Sequence, residues 1–220
     1  MLLVLHRRRS QFFMTEKEIQ QLIDGCLSND RQSQRLLYQK LYGYAMKICL
    51  RYAGSTGEAA EIVNDGFFKA FTNIEKYNRD YPFRAWLSKI MYNVSVDYYR
   101  SNLRWSRMEG LEKAIQPAHE ITAERKLEYE DLLSFVQRLP PAYRLVFNLY
   151  AIDGYSHEEI ARMAGISEST SRSNLTKARQ KLRQMLSEPG LVRIMLLIWT
   201  FRRGRILPAE NDERFKSGYE

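Results

Sequence analysis

The chain has 220 residues, of which 45% are hydrophobic, and a formal net charge of +8 at pH 7. That hydrophobic content is enough for packed cores and excludes a chain that is disordered throughout. The positive charge favours a polyanionic partner, nucleic acid ahead of an anionic membrane surface. Cys26 and Cys49 fall among apolar residues at helical spacing, which is typical of core residues in a reduced compartment. No Cys or His cluster has the spacing of metal ligands, so the sequence indicates no metal site.

The N-terminal half of the chain is predicted to be a bundle of helices. Residues 1–14 precede it as an extension or a disordered arm, because an apolar start is followed by a basic cluster, the reverse of a signal peptide. Apolar residues at helical spacing then extend over residues 15–104, without a convincing strand pattern. Pro82 suits the first turn of the last helix in this segment.

The C-terminal half is predicted to be a second, smaller helical domain. Acidic residues outnumber basic ones over residues 105–130, which indicates a linker. Helical patterning resumes over residues 131–187. Residues 188–220 form a tail whose apolar start fits an amphipathic helix, which would pack on the second domain, bind a regulator or touch a membrane surface. The prediction is therefore an all-α fold of two small helical domains joined by an acidic linker.

Residues 154–179 have the features of a helix-turn-helix. Ser156 and Glu159 are spaced as a capping box, and Gly165 permits the tight turn between two helices. One side of the second helix is basic and polar, which suits arginine contacts to guanine, asparagine contacts to adenine and further contacts to phosphates. The alternative is a plain helical hairpin with a solvated basic face, but the coincidence of the three signals favours DNA binding. The candidate DNA-facing residues are Arg172, Ser173, Asn174, Thr176, Lys177, Arg179 and Lys181.

A second candidate nucleic-acid surface lies on the last helix of the first domain. Aromatic and basic residues here are predicted to lie away from the buried side formed by Phe83, Trp86 and Ile90. Aromatic rings stack on unpaired bases, at roughly 1–3 kcal/mol per base, which can offset the few kcal/mol needed to flip a base. Each tyrosine alone is better explained as the edge of a core, whereas the group favours single-strand binding. The group comprises Tyr77, Tyr92, Asn93, Val96, Tyr99 and Arg100.

At this point the chain resembles the bacterial RNA polymerase sigma factors. The motif Glu61-x-x-Asn-Asp-x-Phe67, followed by Phe83-x-x-Trp-Leu-x-x-Ile90 and Asp97-Tyr-Tyr-Arg100, is similar to region 2 of the sigma-70 family. Leu139-Pro-Pro-Ala-Tyr-Arg144 and residues 154–179 are similar to region 4. Nothing resembles the intervening third domain or the N-terminal inhibitory region of housekeeping sigma factors. The resemblance, over about residues 15–187, is therefore to the extracytoplasmic-function (ECF) subfamily.

The resemblance implies three binding surfaces. A helix of the first domain docks on the clamp coiled coil of the polymerase's largest subunit through Glu61, Asn64, Asp65, Phe67 and Phe71. The −10 promoter element is contacted by Tyr77, which captures a flipped base, and by Arg84, Lys89, Asn93, Val96, Tyr99 and Arg100. The −35 element is contacted by Ser167, Thr170, Arg172, Ser173, Asn174, Thr176, Lys177 and Arg179.

This chain departs from the family pattern at two places. The family usually has Asp, Gln and Glu where this chain has Glu61, Asn64 and Asp65, which changes the reach of each side chain by one methylene. Ser171 stands where an apolar residue is common, and this difference is expected to loosen local packing. The acidic linker resembles the segment that in this family threads towards the active-site and RNA-exit channels of the polymerase.

The implied function is that of a cytoplasmic specificity subunit without enzymatic activity. It would bind core RNA polymerase at the clamp coiled coil and the flap region, select promoter DNA through both elements and promote melting. An anti-sigma factor is an expected further partner. No phosphate-cradling glycine loop, nucleophile motif or metal set is present in the sequence, so no catalytic residue, cofactor or small-molecule substrate is expected.

Two alternatives remain open from the sequence. One is a two-domain helix-turn-helix regulator that binds operator DNA without core polymerase. The other is an adaptor that mimics a sigma factor and binds a regulator rather than a promoter. Dependence of DNA binding on core polymerase separates the first alternative from the sigma factor.

Overall fold

A computed structural model describes residues 14–109 and 129–185, and over these two ranges the fold is all-α, as predicted. The helices are α1 (Glu16–Leu27), α2 (Arg31–Cys49), α3 (Thr56–Thr72), α4 (Phe83–Glu109), α5 (Tyr129–Gln137), α6 (Pro141–Phe147), α7 (His157–Ala164) and α8 (Glu168–Met185). A 3-10 turn, Ile74–Lys76, follows α3, and a π-helical turn, Asn148–Ile152, follows α6. None of the described helices is long and apolar enough to cross a membrane. The predicted N-terminal arm, most of the linker and the C-terminal tail lie outside the described residues.

Local signals in the sequence set where the helices begin and end. Ser156 and Glu159 form the predicted capping box of α7, in which Glu159 Oε2 accepts from Ser156 N at 2.8 Å. Thr15 and Glu18 form an equivalent box at α1. These caps satisfy amide groups that have no partner inside the helix. Gly165 ends α7 in the left-handed region, at φ 68°, which glycine adopts without strain.

The first domain is a four-helix arrangement in which α2 contacts α1, α3 and α4. Helix α3 approaches α4 closely at Gly66, since a Cβ atom there would overlap the Met91 side chain. The side chains of its core are fully or almost fully excluded from solvent. The largest of them are Ile19, Ile23, Leu37, Leu41, Ile62, Val63, Phe83, Leu87 and Met91.

The second domain is built around α8. This helix contacts α5, α6 and α7, and α7 and α8 form the helix-turn-helix that the sequence predicted. Its core residues are Leu139, Leu145, Val146, Leu149, Ile160, Leu175, Ala178 and Leu182. The two domains also contact each other directly, because α4 packs against α6 and α7. The helix-turn-helix is therefore seated on the last helix of the first domain.

The close approach at Gly66 predicts a position-specific effect on stability. Gly66→Val is expected to lower the free energy of unfolding by about 1–3 kcal/mol, because the added methyl groups overpack the fully buried Met91. Gly43→Val, in the middle of α2 with no atom within 4 Å of the added Cβ, is the matched control and is expected to stay within about 0.5 kcal/mol of wild type. Urea unfolding measures both, and equal effects at the two positions would contradict the packing argument.

Candidate nucleic-acid and partner-binding surfaces

Helix α8 presents one face to solvent and buries the other. Its buried side comprises Ser171, Leu175, Ala178 and Leu182. Ser167 Oγ accepts from Thr170 N at 3.1 Å and so caps the first turn. The predicted DNA-facing residues Arg172, Ser173, Thr176, Lys177 and Arg179 are exposed, and Asn174 is half-buried. The structure therefore brings this predicted set together on one open face.

Two cations on this face lie over aromatic rings of the second domain. Lys177 Nζ lies 6.0 Å from the centroid of Tyr143, and the Arg179 guanidinium lies 6.0 Å from that of Tyr150. At exposed sites such contacts contribute about 0.5–1 kcal/mol each. They reduce the freedom of long side chains before any contact with DNA is made.

Ser171, where the resemblance predicted looser packing, lies in the interior of the second domain. It is fully buried, and its Oγ lies 2.9 Å from Nδ1 of His157, the first residue of α7. The imidazole also stacks on Tyr150, with centroids 4.4 Å apart and planes at 19°. A polar bond thus joins the two helices of the helix-turn-helix. The role of His157 was not predicted from sequence, because its partner Ser171 lies on the other side of the turn between α7 and α8.

The surroundings of His157 favour its neutral form. Burial lowers the pKa of His157, and the positive charges of Arg172 and Arg179 act in the same direction, against the opposing effect of Glu168. A neutral imidazole can accept from or donate to the Ser171 hydroxyl, depending on its tautomer. The contact between α7 and α8 therefore does not require a charged histidine.

The loop before α4 differs from the prediction at Tyr77. This ring is 8% exposed, and it packs edge-on against Phe83, with the centroids 5.2 Å apart. Its hydroxyl accepts from Gln20 Nε2 at 2.9 Å and donates to the Tyr81 carbonyl. In this conformation Tyr77 is part of the core and offers no open face to a base.

The predicted basic residues of α4 have different surroundings. Arg84 pairs with Glu16 at 3.1 Å and donates to the Met14 carbonyl at 3.0 Å, so it ties the start of α1 to α4. Lys89 is half-buried, whereas Arg100 is exposed. The Arg100 side chain lies beside the turn at Gly165. The structure therefore gathers these cations along one helix without placing them on one open face.

The face of α4 that was predicted to be free is partly covered. Val96 is 2% exposed and Tyr92 is 6% exposed, while Asn93 and Tyr99 are half-buried. For Tyr92 the physical reason is the second domain, since its ring packs edge-on against Tyr155 from the segment before α7, with centroids 6.3 Å apart. Spacing along one helix cannot reveal a covering surface that belongs to another domain.

Helix α3 presents Glu61, Asn64 and Asp65 to solvent, as expected of a docking surface. Tyr38 donates to Asn64 Oδ1 at 2.9 Å and so fixes the orientation of this amide. Phe71 is half-buried beside these polar residues.

The phenylalanines of α3 correct the prediction. Phe67 is 2% exposed and packs against Tyr38, with centroids 4.8 Å apart, so it belongs to the core rather than to the surface. Phe68 is 72% exposed and was missed. Positions 61, 64, 65 and 68 share one helical face by their spacing of three, four and seven residues, which is the signal that identifies Phe68.

Comparison with known proteins matches both halves of the chain to one family. Sigma-70 region 2 matches residues 37–105, and sigma-70 region 4 matches residues 129–182, which together are more than half of the chain. Among solved structures, the sigma factor RpoE in complex with the anti-sigma factor NepR from Bartonella quintana covers 68% of this chain and 94% of its own, at 19% identity and a TM-score of 0.45.

Three relatives illustrate the likeness in sequence. The chain is 29% identical over 148 residues to the ECF RNA polymerase sigma factor SigE of Mycolicibacterium smegmatis, covering 64% of this chain and 57% of that protein. It is 26% identical over 187 residues to the ECF RNA polymerase sigma factor SigW of Bacillus subtilis, covering 80% of this chain and 98% of that protein. It is 25% identical over 175 residues to the ECF RNA polymerase sigma-E factor of Escherichia coli, covering 74% of this chain and 91% of that protein.

A region 2 bundle followed by a region 4 helix-turn-helix with an open basic face defines an RNA polymerase sigma factor, and the chain belongs to the sigma-70 family. The resemblance stated from the motifs is thereby confirmed. Within the family, relatives that the chain spans almost completely are ECF sigma factors. The protein is accordingly an ECF-type sigma factor.

The lowered pKa of His157 predicts a pH dependence of stability. The unfolded chain takes up a proton near the ordinary histidine pKa of about 6.5, whereas the folded chain does so only at lower pH. Stability is therefore complete above the unfolded pKa and falls as the pH drops through the folded pKa. His157→Gln keeps a hydrogen-bonding side chain but cannot titrate, so it is expected to lose less stability than wild type between pH 7.5 and 5.5.

Urea unfolding at several pH values measures this difference. His6 and His119 are common to both proteins, so their titration cancels in the comparison. Parallel pH profiles for wild type and His157→Gln would contradict the assignment.

Proposed function

We propose that this sigma factor binds core RNA polymerase through α3 and promoter DNA through α4 and α8. Residues 15–104 serve as the region 2 domain, residues 105–130 as the linker and residues 131–187 as the region 4 domain. The observation that carries the proposal is the presence, in one chain, of an acidic and aromatic docking face on α3 and an open basic face on α8. These faces have opposite charge and therefore suit different partners.

The docking face on α3 comprises Glu61, Asn64, Asp65 and Phe68, with Phe71 at its edge. The partner surface is the clamp coiled coil of the polymerase's largest subunit. Phe68 supplies an apolar anchor, since a ring exposed to 72% gains most from being covered by a partner. Phe67 supports the face from beneath through its contacts with Tyr38 and Phe71. A further contact of the second domain with the flap region is part of this proposal.

The −35 element is read by α8 and the −10 element by α4. On α8, Arg172 and Asn174 are suited to base edges, whereas Ser167, Thr170, Ser173, Thr176, Lys177 and Arg179 position the helix on phosphates or bases. On α4, the −10 surface comprises Arg84, Lys89, Asn93, Val96, Tyr99 and Arg100. Base capture by Tyr77 requires its hydroxyl to release Gln20 and Tyr81.

The protein acts without enzymatic activity of its own. RNA synthesis belongs to core polymerase, and this chain contributes promoter selection and melting. The same association places it in the cytoplasm with the polymerase. An anti-sigma factor is a further proposed partner, by analogy with the family.

Charge reversal on α3 tests the docking face. The assay is run-off transcription with purified core polymerase and a library of genomic promoter fragments, and transcription is expected to need this protein. With Asp65→Arg the amount of transcript is expected to fall at least about tenfold, because like charges meet across the interface. Phe68→Ser is expected to weaken core binding at least about fivefold. Glu75→Arg, an exposed charge reversal outside α3, is the matched control. Two results together would identify the chain as a helix-turn-helix regulator instead. These are tight binding to operator DNA without core polymerase and no transcripts when core polymerase is added.

Substitutions on α8 test promoter reading. Arg172→Ala is expected to weaken binding of the holoenzyme to its promoters about 10–100-fold and to relax preference at one base position. Lys177→Ala is expected to weaken binding to all promoters alike and to reduce the slope of log affinity against log salt by about one. Lys40→Ala, exposed on α2, is the control. Equal loss for all three variants would argue against α8 as the reading helix.

A further inference from the structure

His157 joins three parts of the second domain. It is the first residue of α7, and its Nδ1 lies 2.9 Å from the hydroxyl oxygen of Ser171 on α8. Its ring stacks on Tyr150 of the π-helical turn, with centroids 4.4 Å apart and planes at 19°. This stacking fixes the plane of the imidazole, so that Nδ1 is held in the direction of Ser171. We call His157, Ser171 and Tyr150 the His157 cluster.

The bond between His157 and Ser171 constrains α8 in a way that its apolar contacts do not. Apolar burial has no preferred direction, so it tolerates small shifts and rotations of one helix over another. A hydrogen bond weakens steeply away from its preferred distance and angle. Ser171 is fully buried, on the side of α8 that also contains Leu175, Ala178 and Leu182. The bond therefore adds a directional constraint in the middle of the contact between α7 and α8.

This constraint acts next to Arg172, the residue proposed to read a base edge. The Arg172 side chain is exposed and lines an open cavity together with His157 and Glu168, so packing does not fix it. Its pair with Glu168, at 2.8 Å, is exposed, and exposed pairs contribute little. Bidentate contact with guanine needs both guanidinium nitrogens placed to within about 0.5 Å. The place of Arg172 therefore depends on the backbone of α8, which the preceding residue, Ser171, anchors.

Tyr150 extends the same support to a second cation. The Arg179 guanidinium lies 6.0 Å from the centroid of the Tyr150 ring, on which His157 stacks. Arg179 is exposed and lies two helical turns beyond Arg172 on α8. The His157 cluster is therefore connected to the basic face of α8 at two places.

We propose that His157 is a positioning residue for promoter recognition: through Ser171 and Tyr150 it sets the orientation in which α8 presents Arg172 and Arg179 to the −35 element. The inference rests on the proposed function, because this orientation matters to recognition only if α8 reads DNA. His157 acts through its neighbours and needs no contact of its own with DNA. If the contact served folding alone, an apolar pair at positions 157 and 171 would replace it without any effect on promoter choice.

Two variants separate positioning from folding. The double variant His157→Phe with Ser171→Ala removes both partners of the bond at once and keeps an aromatic ring next to Tyr150. Loss of both partners together costs little stability, so this variant is expected to fold, but its α8 lacks the directional bond. His157→Asn is the matched control, because its amide keeps a hydrogen-bonding atom close to the place of Nδ1.

The measurement is the affinity of the holoenzyme for a promoter found by run-off transcription and for each single-base variant of its −35 element. The base position read by Arg172 is the one at which Arg172→Ala loses its preference. There, the double variant is expected to lose at least about threefold of the affinity ratio between matched and mismatched base, and His157→Asn to stay within about twofold of wild type. A ratio of affinities does not depend on the folded fraction, so lower stability alone would not change it.

Far-UV circular dichroism shows whether the double variant is folded. An unchanged affinity ratio in the folded double variant would overturn the proposal. It would do so whether the affinities themselves are unchanged, as for a purely structural contact, or fall equally for all promoters, as for direct contact of His157 with phosphate. If the double variant does not fold, Ser171→Ala alone removes the same bond and is expected to give the same loss in the ratio. If Arg172→Ala lowers the ratio at no base position, the proposed function of α8 fails, and the positioning role of His157 fails with it.

Discussion

Helix α4 is buried from two sides, and the arrangement of both domains follows from that constraint. On one side it packs against α2 and α3 of its own bundle, with Met91 filling the space that Gly66 leaves. On the other it receives α6 and α7 of the second domain. A helix with so little free surface cannot at the same time be core, domain contact and DNA reader. The DNA-reading role proposed for this helix would need more of its surface to be free than this arrangement of the domains leaves.

The two elements proposed to read DNA are therefore prepared to different degrees. Helix α8 is capped, exposed on its basic face and fixed to α7 by the bond between Ser171 and His157, so little change is needed before it meets DNA. The proposed −10 surface on α4 is partly covered at Tyr92, and the proposed base capture needs release of Tyr77 from Gln20. This difference suits a protein in which the proposed −35 contact depends on one rigid helix, α8, whereas the proposed melting function depends on unstacked bases.

Signals within a few residues of each other were enough to predict much of the fold. The capping box at Ser156, the turn at Gly165 and the exposed basic side of α8 all depend on local spacing, and the all-α fold follows from helical periodicity. The errors arose where burial depends on a distant partner. Tyr92 lies at a domain contact, and Ser171 bonds to a histidine across a turn. The exposure of Phe68 could have been predicted from the sequence, because its spacing from Glu61 places both residues on one face of α3.

The contact between the two domains includes a buried ion pair, in which Arg51 Nη2 lies 3.1 Å from Asp153 Oδ1, and this burial has a consequence for ionic strength. Dissolved ions screen exposed charges but have little effect on a pair that is 6% and 0% exposed. The DNA contacts proposed for α8, in contrast, weaken as salt rises because counterions return to the phosphates. A change in salt concentration would therefore alter the proposed DNA contacts of α8 far more than the contact between Arg51 and Asp153.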